Sequence, residues 1–188
     1  KMNYKMDWIA HHEAAHAVAY MRLGLPCTEV SIMPSEDPHG VIGIPDAPEF
    51  ACSEDQSGTL TPDPEICDKY AIALCAGYFS CGISGQPIKR ALRMSRHDFD
   101  KVQALLPHAK SEHDDLWDQT FCLVVSNEGL IRALAYRLCK YKVQDRRELT
   151  LLVAAIDGDE EAICRLRSRD RLIHSSGFGH QSHTHPVG

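Results

Sequence analysis

The 188-residue chain contains no run of 18 consecutive apolar residues, so no segment reads as a helix that spans a bilayer. Its longest apolar stretch, 70–83, is broken by Gly77, Ser80 and Gly82 and reads as a buried helix. The start shows no apolar core followed by a small-residue cleavage site, so no secretory signal is expected. No C-x-x-C pair occurs among the eight cysteines (27, 52, 67, 75, 81, 122, 139 and 164), which are expected to be reduced, mostly buried thiols in a cytoplasmic protein. Positive charge is also short, with 20 Lys plus Arg against 26 Asp plus Glu, and this argues against a general nucleic-acid binder. The basic residues that exist gather after position 130, where they read as a solvated face. No G-x-x-x-x-G-K-[ST] occurs, so these residues hold no phosphate-cradling ATPase loop.

What is present suits a globular domain. Hydrophobic residues make up 44% and charged residues 24%, enough to bury a core without staples. One domain is expected over 1–172, followed by a flexible Gly/Ser/His-rich tail at 173–188. Apolar residues at helical spacing predict a helix over 4–24 stopped by Gly24 and Pro26. Alternation at 28–34 and 41–44 around a Pro/Asp/Gly-rich turn predicts an antiparallel hairpin, and 45–61 reads as a mobile loop. Further helices are expected at 63–80 (Asp63 as N-cap, Pro64 at the first position), from Ser95 to before Pro107, at 110–126 and 128–141, from Asp145 to 156, and at 159–170. The fold class is therefore mainly α (α+β), helical with one small antiparallel sheet.

The segment His12-Glu13-Ala14-Ala15-His16 carries the chemistry. Histidines at i and i+4 lie on one helix face a turn apart, so both imidazoles reach a single Zn²⁺, and the intervening glutamate is placed to take a proton from its water. A shuffled chain with 11 histidines would show the pattern roughly a few hundredths of a time. His11 projects about 100° away round the helix and suits a solvated or supporting role.

Two histidines leave a catalytic zinc one protein ligand short. The metzincin extension is excluded, because Ala19 and Arg22 stand where it needs glycine and histidine. Candidates for the third ligand are His97, Asp98 and Asp100 at the start of the later helix, and Glu36 and His39 in the hairpin turn. Asp98 has a competing role as the acid of a capping box with Ser95. Spacing does not choose among them.

This pattern resembles the peptidase domain of the FtsH-type ATP-dependent zinc metalloproteases. The His12–His16 motif is similar to that family's H-E-A-G-H helix, followed by strands like Thr28–Pro34 and Gly40–Gly43. Ile72–Gly77 resembles its apolar helix with a glycine pair, His97–Val102 its N-D-L-x-x-A segment, and Ile131–Leu138 with Glu148-Leu149 its closing helices. The likeness covers about residues 7–155. It implies a helical zincin-like peptidase fold, His12, His16 and Asp98 as zinc ligands, and Glu13 as general base. The chain departs from the family at Ala15 (usually Gly), at Tyr78-Phe79-Ser80 (in place of Arg-Ala-Ala-Glu) and at Ala91–Arg96 (in place of Thr-Thr-Gly-Ala).

The expected function is that of a soluble zinc-dependent endopeptidase acting on unfolded segments or peptides, with Zn²⁺ as cofactor. Self-association and a separate ATPase motor stay open as partners. A strand edge at 28–33 or 41–44 is a candidate peptide-binding surface. The alternatives are a non-catalytic zinc-stabilised interaction module and a regulatory metallopeptidase dedicated to one protein partner. The tail histidines 174, 180, 183 and 185 suit an adventitious metal-binding tract better than a regulatory site.

Overall fold

The first helix, α1 (Tyr4–Arg22), is built around alanine. Ala10, Ala14, Ala15, Ala17 and Ala19 are all fully buried, together with Val18 and Tyr20. Small side chains on several faces let other helices close on it from more than one side, which makes α1 a central helix rather than a surface one. The computed structural model describes residues 4–33, 41–42, 52–54 and 60–176, with side chains at 8–33 and 61–170. Gly24 takes φ 71° where α1 ends, and Leu25 N–H donates to Tyr20 O at 2.8 Å, a left-handed helix stop of the expected kind.

After β1 (Glu29–Ser31), β2 (Val41–Ile42), β3 (Cys52–Glu54) and β4 (Leu60–Pro62) comes α2 (Pro64–Ile83). The Asp63 carboxylate accepts from the N–H groups of Glu65 and Ile66, so the expected cap is formed. Helix α2 runs antiparallel to α1: Tyr20 meets Tyr70, His16 meets Ala73 and His12 meets Cys81. Then follow α3 (Ile88–Met94), α4 (Arg96–Leu105), a 3₁₀ turn (Leu106–His108), α5 (His113–Ser126) and α6 (Glu128–Tyr141). Helices α4 and α5 pack on α2, and α6 packs on α1. Leu130, Ile131, Leu134 and Leu138 supply the buried face of α6. Arg22 Nε, at the end of α1, donates to Asn127 Oδ1 at the start of α6 at 2.8 Å.

Lys142 leaves α6 with φ 69° and turns the chain into β5 (Val143–Asp145). β5 pairs antiparallel with β1, whose other edge pairs antiparallel with β2, giving the order β2-β1-β5. Val30 stands opposite both Ile42 and Gln144. The expected hairpin pairing is present, but it is one half of a three-stranded sheet. β1 is its central strand, so 28–33 offers no open edge to a peptide.

Two further expectations need correction. Part of 45–61 pairs as a second sheet, β3 with β4, rather than being loop throughout. The Ser95 capping box does not form: Ser95 has φ −88°, ψ 8° inside a nearly continuous helical path from α3 to α4, and its buried hydroxyl makes no cap bond. Helix α3 starts the path at Ile88, about two turns before Ser95.

The described chain divides into two compact units, Lys1–Arg146 and Arg147–Gly188. The second contains most of α7 (Arg146–Ile156) and all of α8 (Glu160–Ser176). Asp159 caps α8 through Glu161 N–H and Ala162 N–H, and Arg169 bridges Glu148 at 2.9 Å. No helix among the described residues is long and apolar enough to cross a membrane.

Candidate metal centre

His12 and His16 leave α1 on the same side, one turn apart, and both are buried. Their rings fit against α2 because position 77 is glycine. A Cβ there would stand 2.5 Å from His12 Cε1 and 2.5 Å from His16 Nε2, closer than non-bonded atoms approach. One turn before Gly77, the Ala73 carbonyl accepts from His16 Nδ1–H at 2.8 Å. That bond fixes the ring orientation and leaves Nε2 facing His12 Nε2 and Asp98 Oδ2.

Asp98, in the first turn of α4, completes a group of three. His12 Nε2 and His16 Nε2 are 3.1 Å apart, and Asp98 Oδ2 lies 3.3 Å from the first and 3.5 Å from the second. Zinc–ligand bonds of about 2.0–2.1 Å in a tetrahedron require ligand atoms about 3.3 Å apart. The three donor atoms therefore form one face of such a tetrahedron, and their chemistry, two imidazoles and a carboxylate, fits zinc. Among the described residues this is the one group of three or more His, Cys, Asp or Glu side chains found close enough to hold a metal ion. The Asp98 side chain keeps 17% exposure against 7% and 4% for the histidines, so the group opens towards solvent on the α4 side.

The electrostatics of the group follow from its burial. Burial and repulsion from His16 lower the pKa of His12. Burial also works against charge on His16, but the Asp98 carboxylate, its hydrogen bond, Glu13 and the Ala73 carbonyl outweigh it and lift the pKa to about 9. Asp98 resists burial in the same way: facing His16 and His12, its carboxyl is held well below the usual carboxylate range. Asp98 thus favours an added proton on His16 in the protein alone, and a divalent cation bound there would compete with that proton.

Glu13 is buried beside the pair, and its charge acts on both His16 and the Cys81 thiol. His97 and Asp100 are exposed and stand outside the group. His11 is partly exposed, and its backbone carbonyl accepts from Ser80 Oγ at 3.1 Å. Glu36, His39 and the tail histidines 180, 183 and 185 lie outside the described residues, as does the side chain of His174.

Two contributors escaped the sequence reading, the Ala73 carbonyl and Cys81, whose Sγ lies 3.8 Å from His12 Nδ1. With Gly77 they form a row of small residues at i, i+4 and i+8, and that spacing is the signal that a helix closely packed on the histidine face leaves in a sequence. A scan of the chain against protein-family models finds no match, and a search of curated proteins finds none either.

Proposed function

We propose that this chain is a zinc-dependent endopeptidase that hydrolyses peptide bonds in unfolded segments or peptides, as its resemblance to FtsH-type peptidase domains implies. The observation that carries the reading is the triangle of His12, His16 and Asp98 donor atoms, with Glu13 buried beside it. A zinc ion held there supplies a Lewis acid for the amide carbonyl and acidity for a coordinated water.

The chain's own residues do the rest. His12 and His16 present Nε2 from a rigid helix, and Asp98 brings a negative oxygen from a second helix. Glu13 is the general base: it takes the proton of the attacking water and passes it to the leaving amine. Burial of Glu13 limits competition from bulk solvent for that proton. A purely structural zinc site needs no such carboxylate, which is why catalysis is favoured over an interaction module.

The test is metal analysis together with cleavage of casein or an unstructured peptide, with and without chelator. One zinc per chain and chelator-sensitive cleavage are expected. The Glu13→Gln variant should keep the metal and lose cleavage by about 10²–10⁴. Zinc binding without cleavage of any unfolded substrate would favour the interaction module.

A further inference from the structure

The nitrogen of His12 that faces away from Asp98 has neighbours of its own. Nδ1 lies against Gly77, where a Cβ would stand 2.6 Å from it, and 3.8 Å from Cys81 Sγ. Gly77 and Cys81 are one turn apart on α2, so the bare glycine makes room for the ring and the cysteine brings a sulfur to the same ring atom. Cys81 is fully buried, and its position is tightly held. Its carbonyl accepts both Ser84 Oγ–H and Gln86 N–H at 3.0 Å. The sulfur sits at the far nitrogen of the ring, on the opposite side from the triangle, and is not one of its donors.

His12 can offer a lone pair at Nε2 only if its hydrogen is on Nδ1. We propose that Cys81 is a positioning residue for His12: its sulfur accepts Nδ1–H and holds the ring in the tautomer whose Nε2 faces His16 and Asp98. The role is the counterpart of the bond between His16 and the Ala73 carbonyl, so each histidine is steered by its own partner on α2. Such outer partners fix the ring of a metal-binding histidine and raise its basicity. The purpose of this arrangement rests on the metal-centre reading, but the tautomer belongs to the metal-free protein and is measurable there.

The experiment combines long-range ¹H–¹⁵N NMR of the metal-free protein with zinc affinity from competition against a chelating dye. It uses wild type, Cys81→Ala and Cys81→Val, where valine fills the space of the thiol without offering an acceptor. Wild type should show His12 protonated at Nδ1. Both variants should bind zinc about 10–100-fold more weakly and show mixed His12 tautomers, with His16 unchanged. A packing role would instead leave the valine variant close to wild type, and that result overturns the proposal. So does a wild-type His12 protonated at Nε2, which needs no variant to fold. If the variants lose the Nδ1–H tautomer and wild type binds no zinc, Cys81 keeps its positioning role and the metal-centre reading fails.

Discussion

His16 and Asp98 face each other at 3.5 Å from helices about 80 residues apart in the chain, while the opposite side of the His16 ring is tied to Ala73. The two contacts together decide what the Asp98 carboxylate is for. In the described structure it points at imidazoles rather than serving a Ser95 cap.

Asp98→Asn separates those roles. A cap residue tolerates the change at a cost of about 1 kcal/mol or less, because the amide oxygen still accepts. As a ligand, Asp98 loses its negative oxygen, so zinc content after dialysis should fall sharply. The histidine pair should also titrate lower, because the charge that raises His16 is gone. Full zinc retention in elemental analysis would remove Asp98 from the ligand set.

Gly77→Ala tests the close approach of the imidazoles. In an ordinary helix interior, alanine in place of glycine stabilises by about 1 kcal/mol. Here the new methyl would meet both rings at 2.5 Å, so the variant should lose metal and melt lower than wild type. A higher melting temperature with metal intact would mean that the rings have room to move.

His12→Ala leaves one histidine and the carboxylate, too few donors for a zinc site. Zinc should be lost, as measured by elemental analysis of the dialysed protein. If one zinc per chain remains, it is bound elsewhere, the histidine-rich tail being the first place to look.

Thiol labelling probes the core independently. Cys122 and Cys164 are exposed, whereas burial pushes Cys27 up to about 11 and Cys75 and Cys81 up to about 12. Because the thiolate is the reactive form, iodoacetamide at pH 8 should modify Cys122 and Cys164 first. Cys27, Cys75 and Cys81 should react only on unfolding, as peptide mass spectrometry would show. Early modification of Cys81 would contradict the packing of α2 against α1.

Much of this was legible in the sequence where the signal is local. The motif helix, its stop at Gly24 and the Asp63–Pro64 start of α2 each depend on a few adjacent residues, and each formed as expected. β5 was not legible, because a three-residue strand has no periodicity of its own and is defined by pairing with β1. The Ser95 cap failed for a related reason: S-x-x-D marks a helix start only when the preceding residues are extended, and here α3 leads straight into it. Spacing could not choose Asp98 over His97, since adjacent residues on a helix point about 100° apart and only tertiary packing says which one faces inward. The resemblance pointed to Asp98, and the structure brings that residue to the histidines.

Helix α2 supplies no donor atom to the triangle, yet it sets the position of every donor on α1. A slip of one residue along it would shift the Ala73, Gly77 and Cys81 row by about 1.5 Å and turn it by about 100°. That displacement would put side chains where the imidazoles now lie and remove the acceptors that orient them. On the proposed reading, metal uptake would therefore gauge core register: chains whose two central helices settle one step out of phase could not load the ion, and the chemistry would be open only to correctly packed molecules.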